Sequence, residues 1–280
     1  MIRDDVIIDI KNLSYSFGEK EIYNNLNLQI KKGSIFALLG KNGVGKSTLI
    51  NILMGYIKPK NGECLIFSKP SFNLEPDLKE EIALLYEGFT TYDFMSIEQI
   101  EKYFASFYKK WKSEIFYDLV NLMDLNYNQK ISSLSFGQKS QVVLGLIFAQ
   151  DAKLLILDDY SMGLDAGYRR LFIDYLKDYI KNTDKTVLIT SHIMSDLVDL
   201  IDDIAIIQKG GKIHQSSMKD FIKDFKCYKV NNNEENQFKN IHRIEEYKDF
   251  KKIFTFENNN SLEELNIDFE DKFLGYVGKY

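Results

Sequence analysis

Apolar and polar positions along the chain alternate with two different periods, and the switches between them mark out the elements. Val6 to Leu13 and Glu21 to Ile30 carry the two-residue alternation of half-buried strands, clearest in Leu26-Asn27-Leu28-Gln29-Ile30, around a turn at Phe17-Gly18-Glu19-Lys20. After a turn at Lys32-Gly33, Ile35-Phe36-Ala37-Leu38-Leu39 is wholly apolar, the pattern of a strand covered on both faces. Asn61-Gly62 is a second turn signal ahead of the short run Cys64-Leu65-Ile66-Phe67. Ile82 to Tyr86 predicts another strand. From Ser96 to Asp124 the spacing becomes helical, with Ser96-Ile97-Glu98-Gln99 as a capping box at its start. A helix from about Gln138 to Gln150, a strand Leu154–Leu157, a helix Ala166–Ile180 and a strand Thr186–Thr190 follow. Then come a short helix Ser195–Leu200 and a hairpin over Ile204–Lys212 turning at Gly210-Gly211. Strands alternating with helices predict a mostly parallel sheet with both faces covered, and the opening strands an antiparallel lobe beside it.

The polar run Asn231–Asn236 marks a change in composition. Beyond it, Ile253–Phe256 predicts a strand and Ser261–Val277 a partly helical stretch. We therefore expect a main domain over residues 1–219, with a helical subdomain at about 88–150, and a small α+β appendage over 220–280.

Bulk properties narrow the class of protein. The 280 residues are 45% hydrophobic and 28% charged, ordinary for a globular chain. A net charge of -5 and a pI near 5.4 disfavour a broad nucleic-acid surface, so no nucleic-acid partner is expected. The two cysteines, Cys64 and Cys227, are far apart and lack metal-ligand spacing, which predicts reduced bystanders. The acidic start, Met1-Ile2-Arg3-Asp4-Asp5, has no secretory pattern, and no apolar run approaches the ~20 residues of a spanning helix.

The strongest local signal is Gly40-Lys41-Asn42-Gly43-Val44-Gly45-Lys46-Ser47-Thr48, set between the Ile35–Leu39 strand and the helical run Leu49–Met54. It fills every fixed position of the phosphate-binding P-loop. Gly40, Gly43 and Gly45 let successive backbone N–H groups turn toward one anion. Lys46 brings a positive charge to the β- and γ-phosphates, and the Ser47 hydroxyl can ligate Mg²⁺. The stretch predicts a nucleoside triphosphate site.

Further stretches occur in a fixed order around it. Leu134-Ser135-Phe136-Gly137-Gln138 lies about 90 residues downstream. Leu154–Leu157 runs into Asp158-Asp159, followed by Ser161-Met162-Gly163-Leu164-Asp165, and the next strand ends in Thr190-Ser191-His192. Over residues 6 to 215 this resembles the ATP-binding subunit of ABC transporters. The resemblance implies a P-loop NTPase fold of the ABC ATPase type, with an antiparallel β lobe, a helical subdomain and the C-terminal appendage beside it. It implies ATP and Mg²⁺ as ligands and ATP hydrolysis as the activity. Leu134–Gln138 then corresponds to the signature motif, Leu154–Asp159 to Walker B, Ser161–Asp165 to the D-loop, and His192 to the switch histidine. Phe17 sits where the family stacks an aromatic on adenine, although Tyr15 competes for that role. Asn42, Val44 and Thr48 belong to the phosphate loop. Ser47, Glu87 and Asp158 become metal ligands, and Asp159, Glu87 and His192 catalytic residues. Ser135, Gly137, Gln138 and Asp165 would meet the nucleotide of an opposing subunit in a homo- or heterodimer.

Three positions depart from the family's usual residues. Glu87 stands where glutamine is most frequent. Asp159 replaces the catalytic glutamate, one methylene or about 1.5 Å shorter, and displacement on that scale can cost on the order of 10²-fold in rate. Slow hydrolysis is therefore expected. Phe136 replaces the first glycine of the signature pair. The single cassette and short appendage look like the ATPases of bacterial ABC-2-type exporters, which implies a separate polytopic membrane subunit and a cytoplasmic location on the inner face of the membrane. Peptides, toxins or drugs are the expected cargo. A nutrient importer ATPase would have nearly the same core, and a non-transport ABC ATPase is the other alternative. Phe89, Tyr92 and Phe94 are docking candidates for the membrane subunit, with core packing as the alternative.

Overall fold

The computed structural model describes residues 5–86, 88, 92–161, 163–191, 193, 195–234 and 238–278. An antiparallel pair, β1 (Val6–Phe17) and β2 (Lys20–Lys31), leads to β3 (Ile35–Leu39) and α1 (Lys46–Leu53). A short excursion through β4 (Asn61–Ile66), β5 (Lys69–Pro70) and α2 (Pro76–Lys79) returns as β6 (Ile82–Leu85). Three helices follow, α3 (Ile97–Ala105), α4 (Ser113–Leu122) and α5 (Phe136–Ala149). The chain then alternates through β7 (Leu154–Leu157), α6 (Ala166–Ile180), β8 (Thr186–Ile189), β9 (Asp203–Ile207) and β10 (Ile213–Ser217). It ends with α7 (Met218–Asp224), β11 (Lys226–Asn231), β12 (Arg243–Glu246), β13 (Phe250–Thr255), β14 (Glu263–Glu264) and α8 (Phe269–Val277).

The central sheet runs β10-β9-β3-β8-β7-β6, parallel except for β10. Every residue of β3, β7 and β8 is buried, as the unbroken apolar runs require. Strand alternation divides their side chains between two cores. Phe36, Leu38, Leu154 and Ile156 pack with α1 and the antiparallel sheet β2-β1-β4-β5. Ala37, Leu39, Leu155 and Leu157 pack with Phe148 of α5 and Phe172 of α6 on the other face.

That second core continues into the C-terminal segment. Phe221, Phe225, Phe254, Phe269 and Phe273 belong to the same cluster as Leu197, Ile204 and Ile206. The buried Lys272 fastens α8 to α7, donating from Nζ to the carbonyls of Ile222 and Phe225. Burial pushes its ammonium below the ordinary lysine value. A third sheet, β12-β13-β11-β14, completes this end.

Three sequence expectations need correction. Asn61-Gly62 lies within β4 and is not a turn: a Cβ on Gly62 would come within 2.4 Å of the Asn12 carbonyl oxygen, so the glycine serves close strand approach. The reversal falls at Phe67-Ser68, both at positive φ (52° and 62°), forming the two-residue link from β4 to β5. The helical stretch Ser96–Asp124 is two helices. Between them Lys112 N donates to Ala149 O, and the buried Glu101 carboxylate accepts from Trp111 Nε1 (2.7 Å), Ser113 Oγ (2.5 Å) and Tyr117 OH (3.4 Å). Ser195–Leu200 forms hydrogen-bonded turns rather than a helix, with Leu200 N and Ile201 N both donating to Leu197 O.

Candidate nucleotide site

Each P-loop glycine has its own steric reason. Gly45 has φ 118°, and a Cβ there would lie 2.6 Å from the Tyr23 hydroxyl, which itself donates to Gly45 O. Gly40 is pressed against Ile207 O, where a Cβ would approach to 2.6 Å. Gly43, at φ 75°, has open space around it and needs glycine for its backbone alone. Val44 packs its side chain on the core beneath, and Val44 N donates to Lys41 O at 3.4 Å. Lys46 opens α1 with its ammonium folded back onto the loop, 2.7 Å from Gly40 O and 3.2 Å from Lys41 O. The partial positive charge of the helix start faces the same space.

That space is a cavity of about 420 Å³ lined by Phe17, Lys20, Ile22, Asn42, Gly43, Gly45, Lys46, Ser47, Thr48, Asp158, Asp159 and Thr190. Five elements converge on it. Phe17 ends β1 with its ring half exposed at the rim, edge-on to Tyr15 at 4.9 Å; Tyr15 packs against the core. Asp158 and Asp159 follow β7, and Thr190 follows β8. The Thr190 hydroxyl binds both: it donates to Asp158 Oδ1 (2.7 Å) and accepts the Asp159 N–H (2.8 Å). Asp158 is 3% exposed, yet its Oδ2 has no hydrogen-bond partner. A buried carboxylate oxygen left this way is costly unless a cation completes it. The residues therefore fit Mg²⁺. Among the described residues no three His, Cys, Asp or Glu side chains gather to hold a metal by themselves, so the remaining ligands would come from phosphates and water. Close by, Tyr86 donates to Asn51 Oδ1 (2.9 Å), and burial first, then Tyr56 and the Asp158 charge, push its hydroxyl up to about 12.

Glu87, His192 and Phe89 lie outside the described residues. Ser135, Gly137, Gln138 and Asp165 do not line the P-loop cavity of their own chain. Ser135 caps α5 in a reciprocal pair with Gln138: its Oγ accepts from Gln138 N (3.2 Å), and its N donates to Gln138 Oε1 (2.9 Å). A Cβ on Gly137 would lie 2.3 Å from the Tyr168 ring, so the glycine admits α6. Asp165 caps α6, accepting from Tyr168 N at 3.0 Å. The Phe136 ring, half exposed, lies over Gly163, where a Cβ would meet it at 2.5 Å.

Sequence reasoning missed Lys20, Ile22 and the bridging part of Thr190. Only Thr190 left a signal, a hydroxyl at the end of the strand next to the paired aspartates.

Among known proteins, the sequence model of the family described as ABC transporter matches residues 23–161. The Nod factor export ATP-binding protein I of Bradyrhizobium diazoefficiens is 30% identical over 230 residues, 76% of this chain and 71% of that one. The spermidine/putrescine import ATP-binding protein PotA of Clostridium acetobutylicum is 28% identical, over 74% of this chain and 60% of PotA. In three dimensions the chain resembles cbiO1 from Clostridium perfringens, titled part of the ABC transporter complex cbiONQ. The TM-score is 0.64 at 24% identity, covering 79% of this chain and 92% of cbiO1. P-loop, paired aspartates and fold agree: the chain belongs to the ABC transporter family as an ATP-binding subunit with the ATPase fold, and that family hydrolyses ATP.

Proposed function

We propose that the chain drives an exporter of peptides, toxins or drugs by hydrolysing Mg-ATP between two ATPase subunits, identical or not, bound to a separate membrane subunit. The observation that carries the nucleotide reading is the juxtaposition, in one cavity, of the phosphate loop with the unpartnered Asp158 Oδ2. Ser47 and Asp158, with Glu87, would hold Mg²⁺. Bound there, Mg²⁺ would neutralise charge on the β- and γ-phosphates. Phe17 at the rim suits stacking on adenine, and Asp159 suits orientation of the attacking water. His192 would contact the γ-phosphate. Ser135, Gly137, Gln138 and Asp165, which do not line their own chain's cavity, suit the nucleotide of the opposing subunit. ATP would thus hold the dimer closed and hydrolysis would release it.

No helix among the described residues is long and apolar enough to cross a membrane. By its family we place the chain on the cytoplasmic face of the membrane, bound to a separate membrane subunit. Tyr92, Phe94, Tyr103, Phe104 and Phe107 form a chain of ring contacts on α3 and the segments either side of it, with Phe94 71% exposed. An aromatic patch of this kind suits that partner. Residues 1–219 would form the cassette and 220–280 an appendage docked on it, the latter supported by its own sheet.

The test is direct: the purified chain should bind and hydrolyse ATP in Mg²⁺, and Tyr92→Ala with Phe94→Ala should abolish co-purification of the membrane subunit. Indifference to adenine nucleotides would end this reading. Import is the second reading, favoured by the likeness to PotA; the direction of cargo movement in sealed vesicles separates the two.

A further inference from the structure

Behind Asp159 lie two buried hydroxyls that the nucleotide reading does not use. Ser161 is 4% exposed and Ser191 2%. Ser161 Oγ lies 3.3 Å from Asp159 Oδ1 and 3.2 Å from Ser191 Oγ. Ser191 Oγ accepts the Ile193 N–H (3.0 Å) and lies 3.2 Å from Ile193 O. The contacts therefore run from the Asp159 carboxylate to the loop after β8, the loop that carries His192.

The number of protons decides which of these contacts can be hydrogen bonds at one time. Each serine has one hydroxyl proton and several acceptors in reach. If Ser191 donates to Ser161, the Ser161 proton turns to Asp159 and holds the carboxylate. If Ser161 donates to Ser191 instead, the Ser191 proton must turn to Ile193 O, and Asp159 loses the Ser161 donor. With the protons on Asp159 and on Ile193 O, both keep an acceptor and only the bond between the serines is lost. Where the serines do bond to each other, the direction of that bond decides whether Asp159 keeps the Ser161 donor.

We propose that Ser161 is a positioning residue for Asp159 in ATP hydrolysis, and that Ser191 sets its direction, so the loop after β8 and the carboxylate are aligned as one unit. This rests on the reading of Asp159 as the group that orients the attacking water. It adds a requirement that the reading lacks: the Thr190 bond holds the backbone of the short aspartate, and the Ser161 hydroxyl bears on the direction of its carboxylate. Asp159 sits at φ 46°, a left-handed conformation, so its side chain leaves the strand end in an uncommon direction, with Oδ1 against the Ser161 hydroxyl.

The test uses the full-length protein, with steady-state ATP hydrolysis and, separately, binding of a fluorescent ATP analogue. Ser161→Ala should lower kcat by about 10- to 100-fold, the range for removing a group that orients a reacting one, with the Kd for nucleotide unchanged. Ser161→Thr, which keeps a hydroxyl, should recover most of the rate. In an Asp159→Asn background, Ser161→Ala should cost nothing more. If Ser161→Ala fails to fold, Ser191→Ala carries the test with a smaller loss of kcat and the same unchanged Kd. An inactive Asp159→Asn beside a fully active Ser161→Ala overturns this inference alone, as does a Ser161→Ala loss that persists undiminished in the Asp159→Asn background. Full turnover in Asp159→Asn overturns the reading of Asp159 and this inference with it.

Discussion

The helical layer buries the carboxylate of Glu101 and the nucleotide cavity that of Asp158, and the two are treated in opposite ways. Glu101, 4% exposed, accepts from an indole, a serine and a tyrosine. It closes the gap between α3 and α4. Asp158, 3% exposed, has one oxygen held by Thr190 and the other unpartnered beside the phosphate loop. Equal burial with unequal satisfaction separates a group that holds the fold from one kept ready for a ligand.

The contrast can be broken most sharply at Asp158. Asp158→Asn should reduce ATP turnover by about 10²- to 10³-fold, the loss typical of a charge-stabilising group, while the melting temperature holds or rises. A melting temperature that fell with the activity would make Asp158 a structural group like Glu101. The converse substitution, Glu101→Ala, strands three partly buried donors and should cost about 3 kcal/mol, lowering the melting temperature by roughly 6–10 °C. Nucleotide affinity should persist at temperatures where that variant remains folded. Next in size is Asp159→Glu. Glutamate tolerates φ 46° less well than aspartate, so stability should drop by about 1 kcal/mol while steady-state turnover rises, if the missing methylene limits the rate. A turnover that does not rise would remove side-chain length as the limit.

The smallest effect tests whether an unpartnered atom alone implies function. His214 Nε2 is also buried without a partner, but it lies among the rings of Phe221, Phe256 and Tyr276, away from the nucleotide cavity. Burial first, then the nearby His242, hold its imidazole below the ordinary histidine value. The folded state thus binds fewer protons than the unfolded one. The stability from this group is complete above the unfolded value and is lost as pH falls through the lower folded value. His214→Phe should flatten the stability profile in that acid range, measured by denaturant unfolding, and leave ATP turnover at neutral pH unchanged.

The P-loop strand, β7 and α6 were legible in the sequence because unbroken apolar runs and a phosphate loop leave few alternatives. The cap at Ser96 was legible for the same local reason, a serine and a glutamine three residues apart. What escaped was decided between distant segments. Gly62 resembled a turn residue because nothing nearby in sequence reveals that Asn12 O would press on its Cβ. The break between α3 and α4 depends on Glu101 reaching Trp111 and Ser113, side chains that a single helical period cannot foretell. At the site, the motif residues were found by spacing, whereas Lys20 and Ile22 reach the cavity through the pairing of β2 with β1.

The last helix wedges Phe269 and Phe273 into the cluster that also supports β9, and Lys272 locks it from behind. A truncation designed to isolate a minimal cassette would open that cluster to water and leave two helix-end carbonyls bare. That helix is thus the keystone of this face.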